Sequence, residues 1–161
     1  MIELIVYAAL FALVSVAAVD LIADAYAIAG KVRLQRKINT QADLAMQRMI
    51  REIRAASAIN EASSALNSTP GALNLTTFSD ADGTSTTTAD FRVIGGNLRF
   101  SKATTTIDLT NGISIDRLLF RVIENGAISR NVRVELRLTA TTSRYSITND
   151  FYGTAILRGS Y

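Results

Sequence analysis

IELIVYAALFALVSVAAV, residues 2–19, is the stretch on which the fold turns. Apart from Glu3 and Ser15 it is apolar throughout, and it holds no glycine or proline. A helix rises 1.5 Å per residue, so about nineteen residues reach roughly 28 Å, close to the thickness of a bilayer's hydrocarbon core. Apolar side chains on every side of a helix suit lipid or complete burial, not the surface of a water-soluble domain. Glu3 is then the outlier. A carboxylate at the edge of such a segment is costly unless it is hydrated near the headgroups or paired with a cation. No basic flank precedes the segment and no small-residue cleavage site follows it, so it reads as part of the working protein and not as a removable signal.

Asp20 and Asp24 end the all-round apolarity, and a different helical pattern takes over from Lys31 to about Asn60. Leu34, Ile38, Ala42, Ala45, Met49, Ile53 and Ala56 recur at threes and fours, the stripe of an amphipathic helix. Arg48 and Glu52 stand four apart and are expected to form an exposed pair across one turn, adding a few tenths of a kcal/mol. Gly30 is the only breaker before Pro70, and one glycine costs ~1 kcal/mol without ending a helix. A single helix of some fifty to sixty residues is therefore expected, lipid-compatible over 1–30 and amphipathic over 31–62.

From 63 to 161 the pattern is that of strands, after a small, polar connection at Ser63 to Gly71. Phe91 and Val93 alternate up to Gly95-Gly96, with Leu98 and Phe100 alternating beyond, which predicts a tight hairpin. Asn111-Gly112 and Asn125-Gly126 are turn signals of the same kind. Val132, Val134, Leu136 and Leu138 alternate with Asn131, Arg133, Glu135, Arg137 and Thr139, so one face is buried and the other wet. Leu118, Phe120 and Val122 form the matching inward set, and a parity slip between Ile115 and Leu118 predicts a bulge near Asp116. Tyr145 to Leu157 reads as one or two strands about the turn-prone Thr148-Asn149-Asp150. The fold class is α+β: a long N-terminal helix, hydrophobic then amphipathic, whose second half covers an antiparallel sheet head.

The 161 residues contain no cysteine and no histidine. That removes disulfides, thiolate metal sites, the cysteine nucleophile and the commonest general base, so no enzyme and no cofactor is expected. Net charge is +3. It is uneven: residues 31–54 carry seven basic side chains against Asp43 and Glu52. Such a stretch suits anionic headgroups, oppositely charged neighbours or nucleic acid. No aromatic residue interleaves with these charges to stack bases, which argues against nucleic acid. Asp80-Ala81-Asp82-Gly83 matches the opening of a calcium loop, but the glutamate that closes an EF-hand is missing downstream. A turn in a Ser/Thr-rich loop is the simpler reading of Asp80 and Asp82.

Ile2-Glu3-Leu4-Ile5-Val6 at the head of an apolar helix resembles the start of mature type IV pilins and type II secretion pseudopilins. Arg48-Met49-Ile50-Arg51-Glu52-Ile53-Arg54-Ala55-Ala56 and the ending Asp150-Phe151-Tyr152-Gly153-Thr154-Ala155-Ile156-Leu157-Arg158-Gly159-Ser160-Tyr161 resemble minor pilins of the J-type pseudopilin and W-type pilin kind. The likeness extends over the whole architecture, with the specific motif confined to the first fifteen or so residues. It implies the pilin fold and a polymerising structural subunit, held in the cytoplasmic membrane before assembly and in a surface filament afterwards. Its implied partners are further copies or other pilins, a dedicated prepilin peptidase and the pilus assembly machinery. The resemblance also implies that Glu3 pairs with the α-amino group of a neighbouring subunit, often N-methylated, while Leu4, Ile5, Val6, Leu10, Phe11, Leu13 and Val14 build the filament core. In a staggered bundle Asp20 and Asp24 would meet Lys31, Arg33 or Arg36 of another subunit; as solvated acids at a helix exit they need no such partner.

Two departures stand out. Met1 aligns two residues after the family's mature N-terminus, and the glycine of the cleavage site is absent, so either the chain begins inside the mature protein or its processing is unusual. The C-terminal disulfide of many pilins is impossible here, which points toward minor pilins or pseudopilins. The rival expectation is a monomeric single-pass membrane-anchored module that binds a ligand outside the cell. Such a module has no use for Glu3, nor for an amphipathic helix continuous with its anchor.

Overall fold

The computed structural model describes residues 2–79, 85–125 and 129–157. Its first element, α1, runs over Ile2–Ala55, 54 residues without interruption at Gly30. The chain forms two compact units, Met1–Arg36 and Lys37–Tyr161. In the first, α1 is the whole structure and its side chains are almost all exposed.

The second unit is the head. The expected stripe is buried from Ile38 onward, while Leu34 is only partly covered: Ile38, Ala42, Ala45, Met49, Ile53 and Ala56 are all inaccessible to solvent, joined by Met46. Two antiparallel sheets, not one, supply the partners. The first is a five-stranded meander of β1 (Ala56–Ile59), β2 (Leu73–Phe78), β3 (Thr86–Ile94), β4 (Asn97–Lys102) and β5 (Thr105–Asp108). The second holds β6 (Ser114–Asn125), β7 (Ser129–Thr141) and β8 (Ser146–Ile156). Leu73, Leu75, Phe91, Leu98 and Phe100 from the first and Leu118, Phe120, Val132, Val134, Leu136 and Leu138 from the second complete the core. This α+β arrangement, one long N-terminal helix against antiparallel sheets, is consistent with the pilin fold.

The helix stops earlier than its periodicity suggests. Residues 56–59 leave it to pair as β1 with β2, Ala58 facing Thr76 and Ile59 facing Leu75. Ala56 and Ile59 are both buried and three apart, a spacing that a helix and this irregular strand satisfy alike. A single 3-10 turn at Glu61–Ser63 follows, so the helical segment ends at 55 and not at 62. Gly95 and Gly96 have φ of 60° and 82°, the left-handed pair of the expected hairpin. The Asn111-Gly112 turn makes no hairpin, because it carries the chain from β5 in one sheet to β6 in the other. Gln41 on α1 clasps it, its amide donating to the Asn111 carbonyl at 3.1 Å and accepting the Asn111 N–H at 3.0 Å. The β6–β7 register shifts between Ile115 and Arg117, the bulge that the parity slip requires. Thr148-Asn149-Asp150 do not turn. They lie inside β8, each paired with β7, whose length extends the strand through them.

Segment 65–71 packs against the edge of β6, with the Asn67 and Gly71 N–H groups donating to the Phe120 and Leu118 carbonyls at 2.9 and 2.7 Å. A Cβ at Gly71 would stand 2.9 Å from the Leu118 carbonyl oxygen and 3.2 Å from that of Ser68, both fixed backbone atoms. Gly71→Ala is therefore expected to lose about 1–3 kcal/mol in a denaturant titration. Gly153→Ala should lose less, since the contacts there, Met46 Cε at 2.6 Å and Ile50 Cδ1 at 3.0 Å, are the ends of flexible side chains. An equal or larger loss at Gly153 would contradict this account of the β6 edge.

Candidate functional site

Leu4, Ile5, Val6, Leu10, Phe11, Leu13 and Val14 are each more than half exposed, and Phe11 reaches 75%. Alanines at 8, 9 and 12 fill the spaces between them. The leucines and alanines of this segment lose little side-chain freedom in a helix, which offsets the cost of the β-branched residues among them, and no glycine interrupts before Gly30. The helix is long and apolar enough to cross a membrane, and none of the crossing stretch is buried within the chain. A continuous apolar surface of this kind requires lipid or a protein partner. The polar groups inside it are arranged accordingly. Ser15 Oγ donates to the Phe11 carbonyl at 2.8 Å, so its hydroxyl hydrogen is satisfied within the helix. Glu3 lies in the first turn, where the unpaired backbone N–H groups and the positive end of the helix dipole favour a carboxylate.

Asp20, Asp24, Lys31, Arg33 and Arg36 are exposed along the remainder of this unit. Among the described residues none of the five forms an ion pair. The Asp80 and Asp82 candidates lie outside the described residues. Among those described, no group of three or more carboxylates is placed to hold a metal ion.

Two charge clusters in the head differ from the simple reading. Glu52 forms the expected pair with Arg48 at 3.1 Å, yet the pair is not a surface one. Glu52 is buried and also receives Lys102 Nζ from β4 at 3.0 Å, while the Arg48 guanidinium sits 4.4 Å above the Phe100 ring. The periodicity that places Glu52 beside Arg48 says nothing of β4, which comes from far along the chain. Arg48, half-buried, is thereby engaged within the head and withdrawn from the basic stretch.

The second cluster covers the outer face of β6–β7–β8. Glu135, expected on a solvated face, is only 8% exposed. Arg117, Arg121 and Arg133 surround its carboxylate at 3.0, 3.2 and 3.5 Å. Arg117 and Arg121 become its partners only through the bulge and register, which place Arg121 opposite Arg133 and Arg117 opposite Arg137. Arg137 forks onto Asp150 at 2.6 and 2.9 Å. That hydrogen-bonded pairing holds the Asp150 carboxyl below the usual carboxylate range and raises the Arg137 guanidinium above its ordinary value. In the other sheet Arg99 lowers Asp108 in the same way across β4–β5.

Comparison of the chain with protein-family models, with curated proteins and with solved structures gave no match.

Proposed function

We propose that the chain is a structural subunit of a type IV pilus or a related, type II secretion-type filament, polymerising through its N-terminal helix. The observation that carries this reading is one continuous helix with two surfaces. Residues 4–19 present almost only apolar side chains on all sides behind Glu3, while the stripe from Ile38 to Ile53 is buried in the core of the head. In this reading the first unit anchors the protein in the cytoplasmic membrane before assembly. It then leaves lipid for a bundle of identical helices in a surface filament, processed by a prepilin peptidase and handled by the pilus assembly machinery. A carboxylate inside such a dry bundle needs a cation, and the α-amino group of a neighbouring subunit supplies one. Asp20 and Asp24 face Lys31, Arg33 or Arg36 of the next copies in the stagger.

Glu3→Gln tests the reading. Uncoupling a buried charge from its partner costs ~3–5 kcal/mol per contact. Filaments seen by electron microscopy should disappear, while the head keeps its circular dichroism and its melting transition. Undiminished filaments from the variant would remove Glu3 from assembly. Solitary molecules from the unaltered chain, expressed with its assembly machinery, would favour the single-pass binding module instead.

A further inference from the structure

We propose that the Arg121–Arg133 end of the outer β6–β7–β8 face is a binding site for a small oxyanion, a phosphate or carboxylate group. The inference stands independently of assembly. Arg121 and Arg133 face each other directly across the β6–β7 ladder, as do Arg117 and Arg137. Like charges directly opposite one another destabilise a sheet, so each pair needs nearby negative charge. The two ends of the face are supplied unequally. At the Arg117–Arg137 end, Asp150 is forked by Arg137, and Asp116 accepts from Thr139, two residues along β7 from Arg137. At the other end Arg121 and Arg133 share a single oxygen, Glu135 Oε1, while Arg117 takes Oε2. Four guanidiniums against three carboxylates leave one positive charge in excess, at the end where Arg121 and Arg133 share Glu135.

Those two side chains line an open depression of about 560 Å³ together with Asn67, Val122, Ile123 and Glu135. Both reach Glu135 Oε1 through Nε, at 3.2 and 3.5 Å, so the two guanidiniums, each a planar fork of donors, converge on one oxygen. The Arg133 guanidinium is further steadied 5.6 Å from the Tyr152 ring. A carboxylate or phosphate is matched by this geometry, because guanidinium presents paired donors at the spacing of two oxyanion atoms. Glu135 acts as the positioning residue that holds the fork in place, and it also opposes the ligand's charge.

The full chain in detergent, titrated with inorganic phosphate at ionic strength held constant with sodium chloride, provides the test by calorimetry. Saturable one-to-one binding is expected. Arg121→Gln and Arg133→Gln should each weaken it about tenfold or more, and Arg99→Gln, in an exposed pair of the other sheet, should leave it unchanged. Glu135→Gln keeps an acceptor in place but removes the competing charge, so phosphate affinity should rise several-fold. Absence of saturable binding overturns the proposal. So does equal weakening by Arg99→Gln, or unchanged or weaker affinity in Glu135→Gln whose melting transition shows it folded.

Discussion

Phe100→Ala is expected to remove roughly 3–5 kcal/mol from the stability of the head, a large share of the ~5–15 kcal/mol available to an ordinary domain. Phe100 is 1% exposed on β4, directly opposite Phe91 on β3, and the two rings lie 4.8 Å apart at 35°. Truncation removes a whole ring from a site bounded by strands on one side and α1 on the other, leaving a void that a meander cannot easily collapse. It has a second consequence. The ring is also the surface beneath the Arg48 guanidinium, which with Lys102 neutralises the buried Glu52. Loss of that surface loosens the ion cluster joining helix to sheet, so the effect should exceed that of Phe91→Ala, whose ring touches no charge in this way. The measurement is urea unfolding of residues 37–161, with the midpoint falling by about 1 M or more at unchanged slope. Phe78→Ala, at a side chain 42% exposed, serves as the comparison and should cost well under half as much. Similar losses at the two positions would mean that Phe100 does not occupy the centre of the core.

The parts of this fold that could be read from sequence are those in which one periodicity excludes the other. Ile38, Ala42, Ala45, Met49 and Ile53 fit threes and fours and no alternation, and all are buried on α1. Val132 to Leu138 fit twos alone, and the slip from Ile115 to Leu118 marks the bulge that the ladder contains. Reading fails where a short, irregular strand mimics the helical spacing. Ala56 and Ile59 continue the helical spacing into what is a strand, because the competing ladder with β2 depends on residues some twenty positions away. Composition misleads at Asn149-Asp150, where the long partner strand β7 overrides a local preference for turning.

The charged sites follow the same logic. Glu3 is visible in sequence because its neighbours are all apolar. Glu135 is not, since alternation assigns it to the wet face without revealing that Arg117, Arg121 and Arg133 close over it. Glu52 is hidden likewise by Lys102, fifty residues downstream. In both cases the local pattern gives the face of an element correctly, and the long-range register decides whether that face meets water.

Removal of residues 1–36 is expected to change the protein's behaviour from detergent-dependent to freely soluble while leaving the head folded. Every fully buried side chain of α1 lies at Ile38 or beyond, so the deletion removes none of the fully buried core. What it takes is the exposed apolar surface. Seven of its side chains alone, Leu4, Ile5, Val6, Leu10, Phe11, Leu13 and Val14, are each worth roughly 1.5–3 kcal/mol on full transfer from water, so at least ~10 kcal/mol favours their removal from solvent. That exceeds what one helix terminus could withstand in water without aggregation or insertion. The fragment 37–161 should therefore elute as a monomer in plain buffer and unfold cooperatively, and the full chain should sediment with vesicles or require detergent. Lys37 and Gln41 hold the Gly112 and Asn111 carbonyls, so the new helix start keeps its anchorage to the turn between the sheets. A full chain that stays monomeric in buffer would overturn the claim that this surface needs lipid or a partner, and the assembly proposal would fall with it. An unfolded fragment would show instead that the first unit contributes to the head's stability through contacts beyond its buried side chains. The two failures separate the role of the apolar helix as an interface from any role as a scaffold, because only the first bears on how copies meet.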